Sequence, residues 1–187
     1  MVTDIGAGVT ESAVISLGGM SSYRSVKVGG NDMDNSIVRY VRKHYQLLIS
    51  PDVARRVKER IGTAVTVSEP RELKVRGSDL STRLPRVIRV NSNDIASAVE
   101  REAKSIVETI VSVFQDTPPE LTADIIEKGV ILTGGVANLK GIAKVVEREI
   151  NVPVYIADDP EHAVIRGIGR SIQTGHLNFH RRSVLLK

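Results

Sequence analysis

The sequence contains no cysteine and no tryptophan, and aromatic residues make up only 3% of its 187 residues. Without cysteine, neither a disulfide framework nor a thiolate metal site is possible. The few aromatic residues disfavour a stacking platform for bases, so we expect no nucleic-acid partner despite the net charge of +4. Structural zinc is not expected either, because the histidines, which are His44, His162, His176 and His180, are scattered, and only His176 and His180 lie close together, in a polar tail.

Long apolar runs are also missing from the sequence. No run approaches the roughly 20 residues that cross a bilayer, and the N-terminus lacks the basic and apolar regions of a signal peptide. We therefore expect a cytoplasmic protein. The tail, residues 175–187, carries the densest basic segment, His180-Arg181-Arg182, which could contact acidic lipid or a partner. A frayed terminus is the alternative for this tail.

The first part of the chain has the pattern of strands followed by helices. The segments VTDI, SAVISL and MSSYRSVKV are β-prone, and the glycines between them predict hairpin turns. Gly6 and Gly8 are therefore expected between two strands and not between a strand and a helix. From Asn31 the period becomes helical, with Asn31 or Asp32 as the N-cap. The apolar stripe of this helix is predicted to be Ile37, Val41, Tyr45 and Leu48.

The middle of the chain predicts a second helix, two strands and a long helix. Pro51 suits the first turn of the second helix, which Gly62 ends. Two strands follow in residues 71–91, the second an edge strand because it contains Pro85. Ser92 is the predicted N-cap of the long helix. Its apolar stripe is Ile95, Val99, Ile106, Ile110 and Val113, and its solvated face is expected to carry Glu100, Glu102, Lys104 and Glu108.

The last third of the chain predicts alternating strands and helices. A short helix leads into the apolar strand of residues 130–133, and Gly134-Gly135 precedes a helix. The segment VPVYIA predicts another strand, and a final helix follows it. The apolar face of the helix after the glycine pair is Leu139, Ile142, Val146 and Ile150. This order of elements predicts an α/β or α+β architecture.

The first glycine pair, in the stretch DIGAGVT of residues 4–10, is a candidate phosphate site. A P-loop is excluded because no Gly-Lys-Ser/Thr triplet occurs, and the dinucleotide fingerprint fails because Glu11 replaces its third glycine before a strand. A glycine-rich hairpin turn remains, whose backbone amides form an anion nest. Asp4 would then hold Mg²⁺ through water, and Thr10 would add a hydroxyl. A tight turn without a ligand is the alternative.

The second glycine pair lies in VILTGGVANLKG, between the strand of residues 130–133 and the expected helix. Backbone without side chains there can approach a flat ligand, and a helix N-terminus favours negative charge. A helix entry that needs small residues is the alternative. The two glycine motifs, separated by a helical insert, are more specific together than either is alone.

These residues resemble the actin-like ATPases, and the nearest likeness is to the MreB family of bacterial actins. DIGAGVTESAVISLGG resembles the second phosphate loop and VILTGGVANLKG the adenosine loop. The segment after the hairpin, the RVKERIG helix and the final strand and helix are also similar, so the resemblance runs to about Thr174. It implies an α/β, ribonuclease H-like actin fold, of which this chain is the second half. The implied core subdomain is residues 1–28 and 92–174, and the implied inserted α+β subdomain is residues 29–91.

The resemblance also implies an adenine-nucleotide site for ATP or ADP with Mg²⁺. Asp4 matches the Mg²⁺-associated aspartate. The phosphate turn is matched by Gly6, Ala7, Gly8 and Thr10, the adenine and ribose positions by Arg55, Lys58 and Glu59, and the adenosine loop by Gly134, Gly135, Val136 and Ala137. Ala7, Val9 and Val136 depart from the residues usual in bacterial members of the family.

Nothing in the sequence matches the first half of the actin-like fold, which supplies the opposing wall of the nucleotide cleft. We therefore expect weak nucleotide binding and negligible ATP hydrolysis by this chain alone, because hydrolysis needs charge stabilisation and an oriented water from both sides. The resemblance implies a filament protein of cell shape, which associates with itself or with a full-length actin-like protein. Association with a membrane or a cell-shape complex is a further expectation.

Two other functions fit the sequence. A non-catalytic actin-like module could bind full-length filaments or another partner without using nucleotide. A sugar kinase or chaperone-type ATPase of the same superfamily fits less well, because neither its longer inserts nor a substrate site is visible.

Overall fold

The computed structural model describes residues 1–174, and a mixed five-stranded β-sheet forms the main layer. Its first three strands are antiparallel neighbours, as the glycine turns predict, and its last two strands run parallel to the first. The strands are β1 (Val2–Ile5), β2 (Thr10–Ser16), β3 (Gly19–Val26), β7 (Val130–Thr133) and β8 (Val154–Ile156), in the spatial order β3-β2-β1-β7-β8. This α/β arrangement places Gly6 and Gly8 in the turn between β1 and β2.

A second, antiparallel sheet and two helices occupy the segment between β3 and the longest helix. The helices are α1 (Gly30–Tyr45) and α2 (Pro51–Ile61), and the strands are β4 (Leu47–Leu48), β5 (Glu72–Asp79) and β6 (Pro85–Asn91). The strand order is β4-β5-β6, so the strand that contains Pro85 lies at an edge, as predicted. The division into subdomains at residues 28/29 and 91/92 stays a prediction.

The remaining helices are α3 (Ser92–Gln115), α4 (Pro119–Lys128), α5 (Ile142–Ile150) and α6 (Ala163–Gln173). Helix α3 forms the centre of the core, where it packs against α1, α5, β2 and β3. Its predicted apolar stripe is confirmed, since all five of its side chains are 0% exposed. Burying each such side chain contributes about 1.5–3 kcal/mol before the entropy of ordering is subtracted.

Helix α1 begins earlier and ends sooner than the sequence predicts. Its N-cap is Gly29, and the Asp32 carboxylate, inside the helix, accepts a hydrogen bond of 3.0 Å from the Gly29 amide. The expectation that Asn31 or Asp32 is the N-cap was therefore wrong. The helix ends at Tyr45 and is followed by the C-cap Gln46, which has a left-handed φ of 52°, so Leu48 lies in β4 and not on the helical stripe.

Helix α3 is capped by Asn91 and not by Ser92. The Asn91 side-chain oxygen accepts hydrogen bonds from the amides of Asn93, at 2.9 Å, and Asp94, at 3.1 Å. Ser92 is instead the first helical residue. Its hydroxyl accepts a hydrogen bond from the Arg71 amide at 3.2 Å, which ties α3 to the chain entering β5. The cap prediction failed because two adjacent residues can both cap and only the wider fold selects one.

The second glycine pair does not lead directly into an α-helix. Gly135–Asn138 form a single 3₁₀ turn, and α5 begins only at Ile142, so Leu139 lies outside the helix. The prediction that Gly134-Gly135 lie at an α-helix N-terminus was wrong. A similar 3₁₀ turn, Pro160–His162, precedes α6.

Glu102 corrects the prediction of a fully solvated face on α3. Glu100, Lys104 and Glu108 are exposed, whereas Glu102 is 6% exposed. The Ser36 hydroxyl of α1 donates a hydrogen bond of 2.7 Å to Glu102 Oε1. Glu102 therefore joins α1 to α3.

Helix α6 has an apolar stripe without a partner among residues 1–174. None of its residues is buried, and its four large aliphatic side chains are between 47% and 62% exposed. The side chains of this α6 stripe are Val164, Ile165, Ile168 and Ile172. Strands β7 and β8 also expose apolar side chains, since Ile131 is 41% and Tyr155 is 55% exposed.

Candidate functional site

The turn between β1 and β2, residues 6–9, has adjacent backbone amides that are unused within residues 1–174. The Gly6 amide donates to the Val9 carbonyl at 2.9 Å and closes the turn. Within residues 1–174, the amides of Ala7 and Gly8 have no hydrogen-bond partner. Adjacent unpaired amides of this kind form an anion nest. The turn therefore offers the donors that an anion needs, and phosphate binding there stays a prediction.

The same turn rests on the start of α1. The Gly30 amide donates to the Gly6 carbonyl at 3.0 Å, and the Asn31 amide donates to the Ala7 carbonyl at 2.7 Å. The approach requires glycine at position 29, because a Cβ there would lie 2.6 Å from the Gly6 oxygen. These contacts fix the turn against the helix.

Asp4 and Thr10 flank the turn in different environments. Asp4 is half-buried, and one of its carboxylate oxygens accepts a hydrogen bond of 2.8 Å from the Thr133 hydroxyl. Thr10 is 0% exposed, and its hydroxyl donates to the Val28 carbonyl at 2.9 Å. Asp4 thus keeps a carboxylate oxygen for a ligand, whereas the Thr10 hydroxyl holds the chain that leads to α1.

The second glycine pair packs beside β1. Gly134 has a φ of 84°, and a Cβ there would lie 2.4 Å from the Ile5 oxygen, so the loop requires glycine at this position. Gly135 faces more open space, since the nearest atom to a Cβ would be Glu161 Cγ at 3.8 Å. Gly134 therefore fixes the loop, and Gly135 leaves room for a ligand.

The segment before α6 supports this loop through one backbone hydrogen bond, from the Gly134 amide to the Pro160 carbonyl at 2.9 Å. On either side of Pro160, Asp159 Oδ1 and His162 Nδ1 lie 2.8 Å apart. This hydrogen bond holds the pKa of Asp159 below its ordinary value and, together with the aspartate charge, raises the pKa of His162. The Asp159–His162 pair therefore places a titratable imidazole beside Pro160, the residue that supports the glycine loop.

The basic residues of α2 are held by an acidic residue of α1. Asp34 is 1% exposed, with Lys58 Nζ at 2.7 Å from one carboxylate oxygen and Arg55 Nε at 3.2 Å from the other. Lys58 Nζ also donates to the Gly30 carbonyl at 2.7 Å. Glu59, next to Lys58, is exposed. The wall formed by α2 thus carries both signs of charge.

These segments surround one cavity of about 600 Å³, within the range of small-molecule sites. Among the site residues predicted from the sequence, seven line it: Gly6, Ala7, Arg55, Lys58, Glu59, Gly135 and Val136. The other predicted residues, which are Asp4, Gly8, Thr10, Gly134 and Ala137, lie next to the lining in sequence but not on it. Of these, Ala137 is 0% exposed and packs in the core.

The cavity also has lining residues that the sequence reasoning missed. They are Gly30, Asn31, Asp34, Gly62, Arg71, Asn138, Leu139, Lys140 and Glu161. Asn138 to Lys140 continue the second glycine motif, so extending that motif along the chain would have found them. Gly30 and Asn31 lie beyond β2 and β3, and hydrogen bonds to the turn bring them to the site. Arg71 and Glu161 lack such a signal, because separate loops bring them to the site.

A larger groove of about 770 Å³ runs along α3 and α5, away from both glycine motifs. Its lining includes Ala103, Val107 and Val145, together with the exposed charged residues Glu100 and Lys104. It contains neither a glycine turn nor unpaired backbone amides of the first turn. We therefore assign the candidate site to the smaller cavity.

Comparison with known proteins identifies the family. Residues 1–178 match the sequence profile of the MreB/Mbl protein family. The chain belongs to the MreB/Mbl family. It is 42% identical over 173 residues to the cell shape-determining protein MreB of Escherichia coli K12, covering 92% of this chain and 50% of that protein. It is 40% identical over 169 residues to the cell shape-determining protein Mbl of Bacillus subtilis 168, covering 90% of this chain and 51% of that protein.

Solved structures confirm the actin-like α/β fold expected for an MreB/Mbl chain. MreB5 of Spiroplasma citri bound to ADP superposes with a TM-score of 0.89 at 32% identity, covering 92% of this chain and 53% of that chain. A MamK double helical filament gives a TM-score of 0.76 at 21% identity, with the same coverage of 92% and 53%. The MamK likeness is one of fold.

The chain spans about half the length of the curated relatives it matches. Within residues 1–174, no helix combines the length and apolarity needed to cross a membrane. The predicted lipid contact at residues 180–182 lies outside the described residues.

Proposed function

We propose that this MreB/Mbl chain binds an adenine nucleotide in the cavity between the β1–β2 turn, α2 and the second glycine loop. The observation that carries the proposal is the convergence of three separate segments, each predicted to contact nucleotide, on one cavity of about 600 Å³. MreB5 of Spiroplasma citri, whose fold this chain shares, has been solved bound to ADP and to AMPPNP. ATP and ADP are therefore the proposed ligands.

The proposed arrangement assigns each part of the nucleotide to one wall. The unpaired amides of Ala7 and Gly8 receive phosphate oxygens. Arg55, Lys58 and Glu59 lie beside the ribose and adenine, and Gly135 provides a close approach for the flat base. In this arrangement the negative phosphates face backbone amide dipoles, and the flat face of the base lies against backbone that carries no side chain.

Mg²⁺ fits this arrangement through Asp4. A carboxylate oxygen is the ligand type that Mg²⁺ prefers, and the Thr133 hydroxyl fixes the orientation of the Asp4 side chain. Within residues 1–174, no group of three or more acidic, histidine or cysteine residues could hold a metal alone. We propose that the ion is held mainly by the phosphates and that Asp4 orients its water shell. The ion would neutralise phosphate charge.

At the level of the cell, we propose that the chain is part of a cytoplasmic, actin-like filament system that determines cell shape. The named relatives are cell shape-determining proteins, and MamK has been solved as a double helical filament. Peripheral contact of the tail with membrane or with a cell-shape complex belongs to the same proposal. ATP hydrolysis is an activity that we do not assign to this chain alone.

A second candidate function is a module that binds full-length filaments without using nucleotide. The exposed α6 stripe favours it, because an apolar stripe of this size has the character of a contact surface. Sedimentation with and without a full-length family member tests both association proposals. Co-sedimentation that does not depend on nucleotide would favour the module, and nucleotide-dependent pelleting of the chain alone would favour filament formation.

Calorimetric titration with Mg²⁺–ADP tests nucleotide binding. Gly135→Trp should abolish binding without unfolding the chain, because position 135 faces the cavity and has space for a side chain. Gly19→Trp is the matched control, since Gly19 is exposed on β3, away from the cavity. Asp4→Ala should weaken Mg²⁺–ADP more than ADP in the presence of a chelator. Absence of ADP binding by the unmutated chain would refute the proposal.

A further inference from the structure

Asp34 is a buried anion between two cations on the wall of the nucleotide cavity. Its side chain is 2% exposed, whereas the side chains of Lys58 and Arg55 are 13% and 50% exposed. The two cations are three residues apart on α2, so they project from one face of that helix. The Lys58 contact is an ion pair by distance, at 2.7 Å, and not a well-directed hydrogen bond.

Lys58 connects this ion pair to the phosphate turn. Its ammonium group also donates to the Gly30 carbonyl at 2.7 Å, and the Gly30 amide donates to the Gly6 carbonyl at 3.0 Å. A continuous route of contacts therefore leads from Asp34 through Lys58 and Gly30 to Gly6. Lys58 is held by Asp34 and Gly30, and Arg55 is held by Asp34 and by the Asn31 side-chain oxygen, to which its NH2 group donates at 3.2 Å, so both cations belong to the wall.

We propose that Asp34 is a positioning residue, which fixes the α2 wall of the cavity relative to the phosphate turn. The proposal rests on the proposed nucleotide binding and adds a residue that does not itself contact the phosphates. Without the Asp34 charge, the two cations on α2 repel each other and Lys58 loses the anion that holds it beside Gly30. The α2 wall and the phosphate turn then lose their fixed positions relative to each other.

The test uses Asp34→Asn, which keeps the size of the side chain and removes its charge. Calorimetric titration with Mg²⁺–ADP should show binding about tenfold weaker than in the unmutated chain, as expected for the loss of a charged hydrogen-bond partner. Asp124→Asn is the matched control, since Asp124 lies on α4 and pairs with Lys128 at the exposed surface. Its ADP affinity should be unchanged.

A double-mutant cycle decides whether Asp34 acts through Lys58. In a Lys58→Gln background, Asp34→Asn should cause little further loss of affinity, because the route is already broken. In the double variant, neither Asp34 nor Lys58 remains as a charge that has lost the other. Its ADP affinity can therefore be measured even if Asp34→Asn alone does not fold. Unchanged affinity in Asp34→Asn, or additive losses in the double variant, would overturn the inference.

A readout without ligand separates this inference from the proposed function. In the amide NMR spectrum, Asp34→Asn should shift the signals of Ala7 and Gly8, whereas Asp124→Asn should not. If the unmutated chain binds no ADP, nucleotide binding fails, and these shifts alone decide whether Asp34 positions the turn. Signals of the turn that do not move would then refute the positioning role.

Discussion

Gly29 is the residue at which the phosphate turn and α1 approach most closely. Its backbone is extended, with φ of −164°, so conformational freedom does not explain the glycine. The reason is space, since a Cβ would lie 2.6 Å from the Gly6 oxygen and 2.7 Å from the Ala7 carbonyl carbon. Both neighbours are backbone atoms, which cannot move aside cheaply.

We predict that Gly29→Ala lowers the free energy of unfolding by about 1–3 kcal/mol, the usual effect of overpacking. The matched control is Gly8→Ala in the adjacent turn, where a Cβ would meet no atom within 4 Å. Its stability should change by no more than about 0.5 kcal/mol. Urea unfolding measures both variants, and equal stabilities would contradict the close approach seen at Gly29.

His162 gives the second prediction at this scale. Its pKa is raised from 6.5 by the hydrogen bond to Asp159, so the folded chain favours the protonated imidazole. The stability from this contact is therefore fully present below pH 6.5 and is lost as the pH rises through the raised pKa. An NMR titration should place the His162 midpoint above 6.5, and Asp159→Asn should lower it. A midpoint that Asp159→Asn leaves unchanged would contradict this cause.

Residues also differ in how well the sequence predicted their role. Gly6, Ala7, Gly135 and Val136 line the cavity as expected, because a backbone approach to a ligand requires small residues in a short motif. Asp34 was missed because its partner Arg55 lies 21 residues away. A pairing at that distance depends on the packing of two helices, which no local pattern records.

Helices α1 and α3 form the contact that joins the small sheet to the main one. At its centre, the Ser36 hydroxyl donates to the buried Glu102 carboxylate, and Arg39 NH2 lies 2.6 Å from the Ser36 hydroxyl. A charge at that depth requires partners, since an unpaired buried carboxylate is costly. The contact therefore specifies which faces of the two helices meet.

We predict that Glu102→Ala lowers the free energy of unfolding by about 1–3 kcal/mol, because the polar groups of α1 lose their partner. Glu108→Ala on the same helix is the control, since Glu108 is 65% exposed and, in the described part of the chain, pairs only with the exposed Lys104. It should change stability by at most about 0.5 kcal/mol. Equal effects in thermal unfolding would contradict the buried link.

At the scale of elements, the sequence predicted every helix and strand that has a strong period, including α3 and the β1–β2 hairpin. The errors fall at the ends, where α1 is capped by Gly29 and the second glycine pair forms a 3₁₀ turn. These ends depend on contacts from elsewhere in the fold. The Gly29 cap is fixed by the phosphate turn, and Gly134 is fixed by Ile5 of β1.

At the scale of the whole molecule, the α6 stripe is exposed to solvent within residues 1–174. The sequence predicted the helix but not its exposure, because its period matches that of a buried amphipathic helix. A full-length family member is the partner that we propose for the stripe, in line with the second candidate function.

We predict that Ile168→Glu in the α6 stripe changes the free energy of unfolding by no more than about 0.5 kcal/mol, since Ile168 is 47% exposed. The same change should reduce co-sedimentation with a full-length family member, because it breaks the apolar stripe. The buried Ile106→Glu serves as the contrast and should unfold the chain. A large loss of stability in Ile168→Glu would show that the stripe is already covered.

The contact between the phosphate turn and α1 couples the peptide dipoles of the turn to the dipole of the helix. The carbonyls of Gly6 and Ala7 accept from α1, and the same two peptide units carry the unpaired amides of Ala7 and Gly8. In a trans peptide these groups point in opposite directions, so the positive end of the α1 dipole polarises each unit toward a bound phosphate. If phosphate binds at the turn as proposed, it should strengthen the hydrogen bonds from α1 in return, and the α1 amides of Gly30 and Asn31 should exchange with solvent more slowly when nucleotide is present.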